Sequence, residues 1–390
     1  MNIKQTTQLS TNDFSNQGKR ITVGICNPGY GYERVSYSLN LMDFNFKRLY
    51  TVPLYRVFRS DSQFYKYTPV VFDFGVNLLH TWNSLPISIH PFVVSFECEL
   101  PRYLGCVFPW QMKFGKKVLR SKRCRGILAL SEAAKNKFTL DCEQDNDVDL
   151  IKKLVVFRGG VDLPITHKNT YSVSGPLKLL FVGTDAVRKG IVPLYNACQN
   201  LIQQGVDISL TFIGGFNERC YVYGEHMPDI KKLDDQLKSS EWVDYQGKVP
   251  VMEVLTQMKV HDILAFPTFD ESLGWVPIEA GLLGVPTIAT DIFAIPELVV
   301  HKETGYLISI SKRTDRRFIG LGTVGNEQRQ HLDDTEKAIE SELVTAINYL
   351  YENRKIIEKW GRASRSKLEK MYSPKVAQPQ LSKIYKTSLK

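Results

Sequence analysis

The feature that most constrains this chain is a series of short, uninterrupted apolar runs in its second half, each followed by a longer segment of helical character. LKLLFVG (177–183), ISLTFIG (208–214), YQGKV (245–249), DILAFPT (262–268), VPTIAT (285–290) and GYLISI (305–310) read as six strands, with a helix expected from about 192 to 204 after the first. A strand that is apolar on both of its faces must be covered on both, which is the signature of a parallel sheet with helices packed on each side. Right-handed crossovers then give a doubly wound α/β domain, with ligands at the carboxyl ends of the strands.

The first half repeats this logic more loosely, with strands expected at 20–26, 72–80, 91–97, 126–131 and 154–159. A chain of 390 residues is long enough for two such domains. The Pro-, Ser- and Gly-containing stretch 162–176 marks the linker between them. The expected division is 1–165, 172–365 and a C-terminal segment 366–390, in which the helical run 336–371 gives way to an amphipathic stretch, 376–389, packed back on the first domain. Residues 1–18 are polar, with no apolar core of a secretory leader, and are expected to form a loose arm. No run of 18 apolar residues suggests a membrane span. Seven cysteines without a Cys-x-x-Cys pair point to neither a disulfide framework nor a zinc knuckle, so a cytoplasmic setting is expected. The net charge of +9 favours an anionic partner: a nucleic acid, a membrane surface or a phosphorylated small molecule.

The segment most suggestive of chemistry is FPTFDESLGWVPIEAGLLG, 266–284. A strand ending at Thr268 leads through a loop bearing Asp270 and Glu271 into a helix whose first turn is expected to hold Pro277 and Glu279 and whose stop is Gly284. Amides around Ser272, Leu273 and Gly274, with the helix dipole, would make an anion site. Glu271 and Glu279, eight positions apart, would flank that anion and accept hydrogen bonds from hydroxyls on either side. A diphosphate with hydroxyl-rich ends, a nucleotide sugar, fits this pattern. The plainer reading is a helix start carrying acids because acids suit its dipole. A second cluster, Thr184-Asp-Ala-Val-Arg188-Lys189-Gly190, follows the first strand of the same sheet, so Arg188 and Lys189 would face the same crevice and stabilise a departing diphosphate. Its plainer reading is a solvated basic turn.

Taken together, FVGTDAVRKG (181–190), the Glu271/Glu279 pair, GLLGVPTIAT (281–290) and PELVVHKETGYLI (296–308) resemble the donor domain of the retaining glycosyltransferases of family 4, the glycosyl transferases group 1, over about 130 residues. In the first half, ALSEAAKNKF (129–138) is similar to a strand-and-helix segment of that family. The resemblance implies a GT-B fold: two Rossmann-like, doubly wound domains facing a central cleft. It further implies that Lys189 binds the donor diphosphate with Arg188 nearby, that Glu271 contacts the donor sugar, that the amides of Leu273 and Gly274 beside Ser272 meet the distal phosphate, and that Glu279 holds the ribose. Gly29 and Gly31 would form a glycine loop under the reactive centre. No metal or other cofactor is expected, the departing phosphate itself helping to deprotonate the acceptor.

Two positions depart from the family. Thr184 stands where an Arg is frequent, and Glu97 stands where a His is frequent, with Glu99 just beyond and His80 as the nearby imidazole. Glu97 would accept a hydroxyl or act as a base; alternatively it pairs with Arg102.

Three further segments bear on function. QMKFGKKVLRSKRCRG (111–126) holds seven basic and no acidic residues, which reads as an amphipathic helix on an anionic membrane at the inner face or as a solvated helix over the core. The polar stretch 312–334 is expected to be an exposed excursion, and its Gly320-x-Gly322-x-x-Gly325 spacing lacks the flanking strand and helix of a dinucleotide fingerprint. Zinc-finger spacings, RNP-type aromatics and basic tails are absent, so no nucleic-acid partner is expected. The expected activity is transfer of a hexose from a nucleotide diphosphate sugar to a sugar, polysaccharide or lipid-linked acceptor. The alternatives are an epimerase or hydrolase of the same fold, or a non-catalytic sugar-nucleotide-binding partner.

Overall fold

The computed structural model describes residues 20–26, 40–52, 54–59, 62–72, 74–103 and 108–390. In the first lobe, β1 (Ile21–Cys26) and β2 (Phe44–Arg48) are followed by a small antiparallel pair, β3 (Thr51–Val52) with β4 (Val70–Val71). Then come β5 (Leu78–Trp82), β6 (Phe92–Phe96), β7 (Cys124–Ala129) and β8 (Leu154–Val156). The main sheet is parallel throughout, in the order β2-β1-β5-β6-β7-β8. Helix α1 (Pro109–Arg120) precedes β7, and α2 (Glu132–Gln144) follows it, with Ser131 capping the Ala134 amide at 3.0 Å.

The second lobe carries β9 (Leu177–Gly183), α3 (Ile191–Gln203), β10 (Ile208–Gly214), β11 (Val243–Gly247), β12 (Ile263–Phe266), α4 (Trp275–Leu282), β13 (Thr287–Thr290) and β14 (Gly305–Ile308). Its parallel order is β11-β10-β9-β12-β13-β14. Counted within the lobe this is 3-2-1-4-5-6, the doubly wound Rossmann order, and the winding reverses between β9 and β12. All four residues of β12 are buried, as are Leu179, Leu180 and Phe181 of β9, which is why these central strands read as continuous apolar runs.

Three helices close the chain: α5 (Gly325–Glu352), α6 (Lys355–Tyr372) and α7 (Pro374–Ser388). The single helical run expected over 336–371 is therefore two helices, and the first begins at Gly325. This also corrects the reading of 312–334 as an exposed excursion. Its last ten residues form the first turns of α5, and Phe318 is fully buried edge-on to Phe269, with ring centroids 5.6 Å apart. Gly320 lies well beyond Ile308, the end of β14, so the glycine spacing does not form the tight strand-to-helix turn of a dinucleotide fingerprint.

The chain crosses between lobes twice, side by side: the Val161 amide donates to the Tyr372 carbonyl at 2.7 Å. The 162–176 stretch is not loose along its whole length. Lys168 is buried, its ammonium donates to the His261 carbonyl at 2.6 Å and lies 3.4 Å from the buried Asp262, and Tyr171 donates to the Gly284 carbonyl at 2.8 Å. From Lys168 onward the stretch belongs mechanically to the second lobe. Helix α7 returns to the first sheet, where the fully buried Tyr385 hydroxyl meets His80 Nδ1 at 2.7 Å and its ring stands edge-on to Phe44 at 5.2 Å.

The basic stretch 111–126 is a helix only as far as Arg120; from Cys124 it is strand β7. Its apolar side faces inward, with Val118 and Leu119 buried and Met112 and Phe114 packed on the same core. Lys116 pairs with Asp145, and Arg120 with Asp147. The apolar face that would enter a membrane is thus occupied by the protein's own core. Among the described residues, no helix is long and apolar enough to cross a membrane.

Candidate functional site

At the reversal point of the second sheet, the turn after β9 and the loop after β12 meet. The turn places Arg188 and Lys189 just before Gly190, which has φ +84°. A Cβ at Gly190 would lie 2.0 Å from the Pro267 carbonyl oxygen, so this residue lets the two segments touch. They are stitched together by the Phe269 amide, which donates to the Arg188 carbonyl at 2.9 Å, and by Arg188, which donates to the Asp270 carbonyl at 2.7 Å. Arg188 also reaches Asp185 at 2.7 Å and lies over the Tyr221 ring.

Lys189 and Glu271, 82 positions apart, form a direct ion pair in this crevice. The ammonium sits 4.6 Å from the centroid of the Phe266 ring, and Glu271 Oε1 accepts the Ser272 amide at 3.0 Å. Burial draws the Lys189 ammonium below the ordinary lysine range, with Glu271 opposing it. Burial alone would raise the Glu271 carboxyl, but Lys189 and Arg188 outweigh that and hold it below the usual carboxylate range. Leu273 is buried, and Gly274, at φ +95°, is the residue from which α4 starts. Because α4 begins at Trp275, Glu279 is its fifth residue and lies in the second turn, not the first; its side chain is buried. Gly284 follows the end of α4 with φ +83°, as a helix stop requires. Thr184 is exposed just past β9.

The structure thus brings together Arg188, Lys189, Glu271, Ser272, Leu273 and Gly274, with Glu279 on the helix that starts from the same loop. It does not place Glu97 among them. The Glu97 carboxylate pairs with Arg102 at 3.0 Å and accepts from Asn83 at 3.5 Å, the plainer of the two readings. His80 is not a cleft base. It is fully buried, between the hydroxyls of Tyr385 and Ser95, each at 2.7 Å, and burial pushes its pKa down to about 3. Gly29 and Gly31 lie outside the described residues. Among the described residues, no group of three or more His, Cys, Asp or Glu side chains is gathered as metal ligands would be.

Sequence reasoning missed the surroundings of Asp270. This buried carboxylate accepts from Tyr221 at 2.6 Å and from Arg317 Nε at 3.0 Å, and Arg317 also reaches Glu99 of the first lobe at 3.1 Å. Burial, reinforced by Asp270, raises the Tyr221 phenol, so it remains a donor. Trp275, at the start of α4, faces Trp82 of the first lobe with ring centroids 6.5 Å apart, and its buried indole N–H has no hydrogen-bond partner. No local spacing links residues 270 and 317; the one available sign was that an Arg pair stood in a segment otherwise read as solvated.

Residues 164–315 match the family model described as glycosyl transferases group 1. The chain is 28% identical over 136 residues to a D-inositol 3-phosphate glycosyltransferase of Pseudarthrobacter chlorophenolicus, covering 34% of this chain and 31% of that protein. It is 28% identical over 175 residues to an N-acetyl-alpha-D-glucosaminyl L-malate synthase of Bacillus anthracis, covering 45% and 43%. The chain therefore aligns with less than half the length of these curated relatives. Among solved structures, HepE of Anabaena in complex with UDP-glucose superposes with a TM-score of 0.54 at 16% identity, over 80% of this chain and 79% of that one. A second HepE structure, with UDP, gives 0.61 at 12% identity over 94% and 100%. Residues 164–315 thus resemble the glycosyl transferases group 1 family, and the chain has the two-domain GT-B fold shared by its structural neighbours.

Proposed function

We propose that the chain is a retaining glycosyltransferase that moves a hexose from a nucleotide diphosphate sugar to a sugar, polysaccharide or lipid-linked acceptor. The observation that carries this reading is the Lys189–Glu271 pair at the reversal point of the second sheet, beside the N-terminus of α4. Without donor, each group neutralises the other. A diphosphate entering at the α4 amides takes Lys189 for itself and releases the Glu271 carboxylate to accept hydroxyls of the donor sugar. Lys189 and Arg188 then stabilise the charge that develops on the departing nucleotide diphosphate. Glu279 accepts the ribose hydroxyls, and the departing phosphate takes the acceptor proton, so the reaction runs without a metal.

UDP is the first nucleotide to test, because HepE is solved with it and shares this fold. An acceptor on an anionic membrane would be approached through the charge of α1 alone, from Lys113 and Lys117 and from Lys122 just beyond, all exposed. Sedimentation with anionic vesicles before and after Lys113, Lys117 and Lys122 become Ser tests that approach; unchanged binding removes it.

Incubation with a UDP-sugar, with and without candidate acceptors, followed by product analysis tests the main proposal. A glycosylated acceptor with retained configuration supports it. An epimerised sugar, or free sugar formed equally fast without acceptor, replaces it with the epimerase or hydrolase reading. Nucleotide-sugar binding with no product under any condition leaves the non-catalytic partner.

A further inference from the structure

The polar stretch 312–334, expected from sequence to be an exposed excursion, is anchored on both sides of Arg317. Phe318 is fully buried, and the Phe293 amide donates to the Arg316 carbonyl at 2.9 Å. Between these anchors Arg317 points into the cleft and engages two carboxylates from different lobes. Nε and Nη2 form a fork on Asp270, and Nη1 donates to Glu99 at 3.1 Å.

Asp270 immediately precedes Glu271 and is held from both ends. Its carboxylate takes Arg317 and Tyr221, while its carbonyl takes Arg188 at 2.7 Å and Thr268 at 2.9 Å. One cation between two carboxylates leaves a net negative charge, so Arg317 in this setting is not an additional phosphate cation. Its geometry suits a different task.

A second polar contact between lobes lies near the double crossing of the chain. Glu297 accepts the amides of Glu132 and Ala133 at 3.0 and 2.8 Å and lies 3.3 Å from Arg158, three residues before Val161. A rotation of the lobes about that side would carry Glu99 away from Arg317. Asp270 would stay with Arg317, since both belong to the second lobe.

We infer that Arg317 is a positioning residue that ties the placement of the Asp270–Glu271 loop to closure of the cleft through Glu99. This inference rests on the proposed transferase reading for its kinetic effect, but the lobe contact itself does not. With the lobes closed, Arg317 is fixed by Glu99 and in turn fixes Asp270. With the lobes apart, it loses one of its two anchors and the loop bearing Glu271 is held less firmly.

The test compares wild type, Arg317→Ala, Arg317→Lys and Glu99→Ala by UDP binding, by transfer kinetics with UDP-glucose or whichever donor the wild type uses, and by small-angle X-ray scattering. Glu99→Ala removes the interlobe acceptor from a position that does not touch Asp270, so it remains informative even if Arg317→Ala folds poorly. Expected are UDP affinity within about twofold of wild type for Glu99→Ala, a kcat reduced by roughly 10- to 100-fold, and a larger radius of gyration; misplacing a positioned group costs about this much. Arg317→Lys should recover part of the Arg317→Ala loss, because a single ammonium keeps the charge but not the fork. A Glu99→Ala protein with wild-type kcat and wild-type dimensions would overturn the inference, as would a loss confined to melting temperature with kcat per folded molecule unchanged. If the wild type neither binds UDP nor transfers, the functional proposal fails, and the scattering comparison alone decides the latch.

Discussion

Lys189 and Glu271 are in direct contact although 82 positions separate them, and in this structure each is the other's counter-ion. In the proposed transferase the pair would act as a preset competitor for the donor. A donor diphosphate would displace Glu271 from Lys189, and the displaced carboxylate would become available to hydroxyls. Replacing Glu271 with Ala should therefore tighten or preserve the binding of UDP, which lacks the sugar, while transfer falls by about 100-fold or more. Lys189→Ala should weaken UDP itself by about tenfold or more, the cost of losing a charge-assisted contact. Calorimetry with UDP and a transfer assay together check the split; equal weakening of UDP by both variants would contradict it.

Gly190 allows the two site segments to approach. Ala at this position would meet the Pro267 carbonyl at 2.0 Å and hold φ at +84°. Gly205 has the same φ with nothing within 4 Å of a Cβ, so Gly205→Ala is the control. The control should lose about 1 kcal/mol from backbone strain. Gly190→Ala should lose about 2–4 kcal/mol and, with Lys189 and Glu271 pushed apart, bind UDP more weakly. Denaturant titration of the two variants measures the difference.

His80 gives a pH dependence of defined sign. It titrates near 6.5 when exposed and near 3 in the fold, because burial disfavours its charged form. Between those values the unfolded chain binds a proton that the folded chain refuses, so stability is complete above pH 6.5 and falls as the pH drops toward 3. The loss attributable to this residue is about 2 kcal/mol by pH 5. His80→Gln, which can still hydrogen-bond Tyr385 or Ser95, should show a shallower fall between pH 7.5 and 5 by about that amount. His261, also held down by burial, contributes to both proteins alike.

Lys168 pins the interlobe stretch to the second lobe through Asp262, whose side chain is 2% exposed. Lys168→Met should cost about 3 kcal/mol, toward the low end for stranding a buried charge, because Arg354 remains 3.6 Å from the same carboxylate. It should also expose the 162–176 stretch to protease. Limited proteolysis with mass mapping checks this; an unchanged cleavage pattern would show that Lys168 is not the anchor.

What the sequence revealed follows from burial. The central strands β9 and β12 are covered on both faces and could be read as apolar runs, and the loops at their ends were located with them. The edge strand β2 escaped notice because only Phe44 of FNFKR is buried, leaving Lys47 and Arg48 in solvent and no apolar pattern to detect. The start of α5 was missed for a related reason: the first buried positions on its inner face are Gln328, Leu332 and Thr335, so two of the three are polar and the helical period does not show in hydropathy. Phe318 is a buried aromatic in a polar stretch and left no periodicity. The ion pairs of the cleft join residues 47 to 218 positions apart, distances over which only the fold brings charges together.

The account stands most directly on one measurement: calorimetric titration of the wild-type protein and Lys189→Ala with UDP-, GDP- and ADP-sugars. It predicts saturable binding of at least one of them by the wild type and an affinity lower by about tenfold or more in the variant. If no nucleotide sugar binds, or if one binds with the same affinity after Lys189 is removed, the crevice between β9 and β12 is not the donor site.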